Sequence, residues 1–154
     1  MDRELEWFGA SGTTRFDPPD ASPKLFGTCY LAADPVTAFV ESFADLPIIT
    51  QDMVDDRCML EARVPATQKL ADMTSPLIVG RWKLDRRIST GDDYETCQAW
   101  AHSLRLAGFT GIYYEPRHDP REHLADASSI ALFSDPGHQP QMMTSDRDGQ
   151  IARG

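Results

Sequence analysis

Cysteine is scarce in this chain of 154 residues, with only three. Cys29, Cys58 and Cys97 lie far apart, are odd in number and form no Cys-x-x-Cys pair, so neither a complete disulfide framework nor a zinc knuckle fits. Reduced core thiols are expected. Basic charge is also in short supply. Fifteen Lys and Arg against 24 Asp and Glu leave a net charge of -9, a field that repels a phosphate backbone, so direct nucleic-acid binding is not expected. A few arginines converging in one cleft can still hold a pyrophosphate against that field. No apolar run approaches the roughly 20 residues of a membrane helix. The start, Met1 to Glu6, lacks the basic region and apolar run of a secretory signal, and the expectation is a cytoplasmic protein with no membrane partner. Gly-x-Gly-x-x-Gly, the phosphate loop and the Gly-x-Ser-x-Gly elbow are all missing. Dinucleotide-dependent redox chemistry, triphosphate hydrolysis by that loop and serine-hydrolase chemistry therefore lack their signatures.

What is present is the composition of an ordinary globular domain, 41% hydrophobic and 25% charged, at a length that one hydrophobic core can serve. No internal repeat is visible. Trp7 to Pro23, rich in Gly, Ser, Thr, Asp and Pro, reads as an irregular or edge segment. Thr28 to Ala32 reads as a short buried strand. Asp34-Pro35 then forms an N-cap with proline at the first helical position, and Val36, Phe39, Val40 and Phe43 recur at helical spacing until Pro47. Met59 to Val64 looks like a strand, and Lys69 to Arg87 is assigned to strand and loop. A second helix is expected from a capping box at Asp92-x-x-Glu95, through Tyr94, Cys97, Ala101 and Leu104, to a Gly108 cap. Phe109 to Tyr114 and Ser129 to Phe133 read as further strands. From Ser134 onward apolar periodicity fades, which divides the chain into a domain over 1–133 and a flexible tail over 134–154. The fold class is α+β, a single domain with a small mixed sheet and flanking helices.

A few residues have chemistry to offer. Glu41 lies beside the apolar stripe of the first helix, where its carboxylate either points into a cleft or is simply solvated. Arg15, next to Phe16, suits bidentate contact with phosphate oxygens, or it is a surface arginine. Tyr30 is a core tyrosine or a ring for stacking on a planar base. Glu115 to Pro120 is a polar turn between two strands, the kind of place that carries function. Within and beyond it, His118, Asp119 and His123 match no closed zinc pattern, so a solvated loop without metal is expected.

In order along residues 7 to 133, several of these pieces resemble one family. They are Arg15-Phe16-Asp17, then Gly27-Thr28-Cys29-Tyr30-Leu31-Ala32-x-Asp34-Pro35-x-Thr37-Ala38-x-x-Glu41, then Gln98-Ala99-Trp100-Ala101. Gly108-Phe109-x-Gly111-Ile112-x-Tyr114-x-x-Arg117 and Ala131-Leu132-Phe133 complete the series. Together they resemble the RES domain family, toxins of bacterial RES–Xre toxin–antitoxin systems. The resemblance implies a fold similar to ADP-ribosyltransferases and an enzyme that breaks the nicotinamide–ribose bond of NAD, with inorganic phosphate or water as acceptor. NAD is then a substrate, and no cofactor is called for. It further implies Glu41 and Tyr30 as catalytic residues, with Arg15, Phe16, Arg117 and His118 binding NAD, and an Xre-type antitoxin as protein partner. One departure stands out: the family commonly has Ser before the arginine of its Gly-Ile-x-Tyr segment, and this chain has Pro116. A non-catalytic binding module and a protein ADP-ribosyltransferase are the alternatives.

Overall fold

Asp34 starts the first helix in the way its side chain dictates. Its carboxylate accepts from the Val36 and Thr37 amides at 2.9 and 3.1 Å, and the Thr37 hydroxyl donates to it at 2.8 Å. Proline at the next position loses no hydrogen bond there. The computed structural model describes residues 8–20, 24–57, 59, 61–64, 67–85, 88, 91–118, 128–137, 143–145 and 151–152. Within them run β1 (Gly27–Ala32), α1 (Pro35–Phe43), α2 (Gln51–Asp55), β2 (Glu61–Arg63), β3 (Leu70–Asp72) and α3 (Pro76–Trp82). They are followed by α4 (Tyr94–Leu106), β4 (Gly111–Tyr114), β5 (Ser129–Ser134), β6 (Met143–Ser145) and β7 (Ile151–Ala152).

One sheet has the order β1-β5-β4-β3, with β3 parallel to β4 and the other pairs antiparallel. The long connection from β3 to β4 carries α3 and α4, as a parallel crossover requires. A second sheet of three short strands has the order β2-β6-β7. The α+β class with a mixed sheet and flanking helices is therefore what the chain adopts. Residues 134–154, expected as a tail, hold the end of β5, a bridge from Gly137 to Phe8, and the strands β6 and β7.

Phe16, Phe26, Ile112, Cys97, Ala101 and Phe133 form the centre of the core, between α4 and the larger sheet. Cys29 and Cys97 are buried free thiols, as expected, and Cys58 lies outside the described residues. Gly27 is glycine for a steric reason: a Cβ there would collide with the backbone carbonyl of Phe8, which lies flat against β1.

Three local expectations are corrected. In α1 the apolar stripe does not face the core as a whole, since Val36 is 50% exposed and Phe39 37%, whereas Thr37 and Phe43 are buried. Spacing identifies a helix but not which neighbouring face the fold covers. The span around residue 76, assigned to strand and loop, contains α3, because Pro76 sits in the first helical turn and starts a helix instead of breaking one. The cap of α4 is Asp93, whose carboxylate accepts from the Thr96 amide at 3.0 Å, which leaves Asp92 free for a different task.

Candidate active site

A cavity of about 350 Å³ opens where the end of β1, the inner side of α1, the start of α4 and the segment after β4 meet. Arg15, Tyr30, Glu41, Arg117 and His118 all line it, joined by Thr14, Asp45, Tyr94, Tyr114 and Ser129. Residues 15 to 118 thus converge on one space that no sequence neighbourhood contains.

Tyr30 comes from β1 and is 37% exposed, with two donors on its hydroxyl. The Phe16 amide donates to the phenol oxygen at 2.7 Å and the Thr14 hydroxyl at 2.9 Å. Both acceptor positions are filled, so the phenol's own proton is what it has left to give. Burial pushes its pKa well above the ordinary range, and the proton stays on at physiological pH.

Arg15 is not a surface residue. It is 8% exposed, donates from Nη1 to the Ile88 carbonyl at 3.0 Å, and lies 5.4 Å from the centre of the Tyr94 ring. That bond uses one of its five N–H groups. Phe16, expected to bind NAD, is placed elsewhere than the other expected residues: it is fully buried, its ring lies 5.0 Å from that of Tyr114 between ring centres, and it does not line the cavity. Its part at the site is the backbone N–H on Tyr30.

Glu41 is half-buried on α1, and its Oε1 accepts from the backbone N–H of His118 at 2.8 Å. The solvated-helix alternative is thereby set aside, because the carboxylate is anchored to the turn after β4. Deeper in the wall, burial first and the Glu41 carboxylate second push the Tyr114 phenol far up. A hydrogen bond with Ser129 acts in the opposite direction. At the mouth, Arg117 reaches Asp92 at 2.6 Å, a bond that holds its pKa above the usual value. His118 Nε2 lies 3.8 Å from an Asp45 carboxylate oxygen, an ion pair when the imidazole is protonated. Asp119 and His123, weighed with His118 as metal ligands, lie outside the described residues.

Tyr94, Tyr114, Ser129, Asp45 and Asp92 were not singled out as site residues by sequence reasoning. Tyr94 and Tyr114 looked like members of apolar patterns, which is true of aromatic residues that form a wall between core and cavity. The arrangement brings the Glu41 and Asp45 carboxylates and the Arg15 and Arg117 guanidinium groups around one cavity with aromatic walls, a setting for a ligand with a cationic centre and an anionic end.

The RES domain model matches residues 6–150. The chain belongs to the RES domain family. The match continues past residue 133 and through β6. Among solved structures, a chain of the M. tuberculosis MbcT–MbcA toxin–antitoxin complex is similar in fold, with a TM-score of 0.61 and 19% sequence identity. The likeness covers 94% of this chain and 78% of that one. No curated protein matches. Among the described residues of this RES domain, no helix is long and apolar enough to cross a membrane.

Proposed function

We propose that this RES domain is a toxin-type enzyme that cleaves the nicotinamide–ribose bond of NAD and is held in check by an Xre-type antitoxin. The observation that carries the proposal is the convergence of Arg15, Tyr30 and Glu41 on one cavity. Family membership and fold likeness to a chain from a toxin–antitoxin complex support it. In the reaction, the bond from ribose C1′ to the nicotinamide nitrogen breaks with its electron pair passing to nitrogen. Nicotinamide leaves neutral and positive charge spreads over the ribose ring. An oxygen of water or inorganic phosphate then forms the new bond to C1′, and water as acceptor releases a proton.

Each residue has a part in that sequence. Glu41 supplies negative charge beside the developing cation, the electrostatic device that glycosidases also use. Arg15 holds the pyrophosphate, with Arg117 at the mouth as a second cation. Tyr30 walls the nicotinamide ring, and its hydroxyl donates a hydrogen bond to a substrate oxygen while keeping its proton. His118 anchors Glu41 through its backbone and lines the binding space. A cavity of this size is at the lower end of the roughly 300 to 1,000 Å³ typical of ligand sites, which suits the nicotinamide–ribose end of NAD with the adenosine end outside.

The test is incubation of pure protein with NAD, with and without phosphate, while free nicotinamide is measured. Release without a protein target supports the enzyme, and the ADP-ribose product, phosphorylated or not, names the acceptor. Release only with a protein target identifies an ADP-ribosyltransferase, and none at all identifies a binding module. In bacteria, expression is expected to deplete NAD and stop growth, with rescue by a co-expressed antitoxin. Normal growth at undiminished NAD, in cells holding soluble protein, would overturn the reading.

A further inference from the structure

We infer that Gln98 is a positioning residue for the Arg15 and Tyr30 side of the cavity, an inference that rests on the NAD-cleaving reading above. Gln98 Nε2 donates to the carbonyl of Gly12 at 2.9 Å and to the carbonyl of Thr14 at 3.0 Å. Both partners are acceptors, so the amide nitrogen and not its oxygen must face them. These two bonds cross from α4 to a segment more than eighty residues away in the chain.

That segment carries the chemistry. Thr14 donates to the Tyr30 hydroxyl, Arg15 lines the cavity, and the Phe16 amide donates to the same hydroxyl. From inside, the buried Asp17 closes the loop: its Oδ2 accepts from the Ser11 hydroxyl at 2.9 Å and from the Gly12 and Thr14 amides at 3.1 and 3.3 Å. Asp17 therefore gives the loop its shape. Gln98 gives it its place against α4.

The helix spacing makes this a single device. Tyr94 and Gln98 are four residues apart and so share one side of α4. Tyr94 lies beneath the Arg15 guanidinium and Gln98 holds the backbone on either side of Thr13, so the head group and the main chain of the loop are set by the same helix face. Cys97, between them, donates to the Ile88 carbonyl that also receives Arg15. A shift of the loop away from α4 moves Arg15 off its stacking position and takes two donors away from the Tyr30 oxygen.

Two variants test the inference. Gln98→Met keeps the volume and removes both bonds, and Gln98→Glu sets an acceptor against two carbonyls. Each is expected to raise the KM for NAD about tenfold or more, with kcat changed less than about threefold, since the loop binds substrate and Glu41 is on another element. In the same proteins without NAD, amide exchange at Gly12, Thr14 and Phe16 should accelerate while exchange in β4 and β5 stays at the parent rate. A merely structural role would lower the melting temperature without this local pattern or the KM effect. Parent-like KM in a folded, active Gln98→Met protein, or parent-like exchange in the loop, overturns the inference. Should Gln98→Glu fail to fold, the neutral Gln98→Met variant decides. If the parent neither binds nor cleaves NAD, the functional reading falls, and the exchange measurement alone decides whether Gln98 holds the loop.

Discussion

Glu41→Gln separates charge from shape at the centre of the cavity. The amide keeps an oxygen where Oε1 now accepts the His118 amide at 2.8 Å, so the turn after β4 retains its anchor. What disappears is the negative charge. A carboxylate about 5 Å from a unit positive charge, at an effective dielectric of about 20, contributes roughly 3 kcal/mol. That corresponds to somewhat more than a hundredfold in rate, at about 1.4 kcal/mol per tenfold. In the proposed reaction the interaction exists only as positive charge develops on the ribose, so the loss should fall on kcat and leave NAD affinity nearly unchanged. Nicotinamide release in single-turnover and steady-state assays gives both numbers, and a thermal melt checks the fold. Turnover within a few-fold of the parent would remove Glu41 from the mechanism, and an equal loss in affinity would make it a binding residue.

The other expectations concern the surroundings of that carboxylate. Arg15→Lys keeps the charge but loses the planar fork, and should weaken NAD binding by roughly ten- to a hundredfold in calorimetry, from about 1.5 to 3 kcal/mol for a charge-assisted contact. Because Arg15 is buried and bonded to Ile88, its melting temperature should also fall by a few degrees; undiminished affinity would place the phosphate contact elsewhere. Pro116→Ser restores the hydroxyl common in the family, yet it should lower NAD cleavage, because Pro116 is buried in a turn whose next two residues are already tied to Asp92 and Glu41; a gain in turnover would identify a lost catalytic contact instead. Stability should decline as pH rises above about 9. Burial raises the Cys29 thiol from 9.0 to about 11 and pushes the Tyr30 and Tyr114 phenols above their ordinary 10.0. The unfolded chain then releases these protons first and is favoured by alkali. Melting temperatures across pH 7 to 11 check it, and a flat profile refutes it.

Much of the fold was written in local chemistry. Asp34-Pro35 marked the start of α1 to the residue, and Gly108, with φ of 84°, marked the end of α4. Where two adjacent residues could do the same job, local chemistry could not choose between them: Asp92 and Asp93 both suit a cap, and only the tertiary position of Arg117 decides which one is needed at the cavity. Arg15 and Phe16 show the same limit at side-chain scale. The pair marked the right segment, but consecutive side chains point in different directions, so one lines the cavity and the other fills the core. Tyr114 and Ser129 were hidden for another reason. They are opposite each other across β4 and β5, and only that register brings a phenol and a hydroxyl together beside Glu41.

Pro116 ties these observations together. β4 ends at Tyr114, and a proline two residues later biases Glu115 toward extended backbone and so carries the strand direction onward past the sheet. The following two residues then diverge to opposite anchors. Arg117 reaches the residue just before the α4 cap, and His118 meets α1 through its backbone N–H on Glu41 and the segment just after α1 through its ring near Asp45. A serine in place of the proline would supply a hydroxyl but leave φ unrestrained, and the turn would have to hold its direction by those contacts alone. In this chain the rigid residue and the two anchors act in concert: the turn spans the cavity mouth from α4 to α1 and fixes the Glu41 carboxylate from its far side. The turn is thus held by a backbone constraint and two side-chain anchors beside the cavity that Arg15, Tyr30 and Glu41 line.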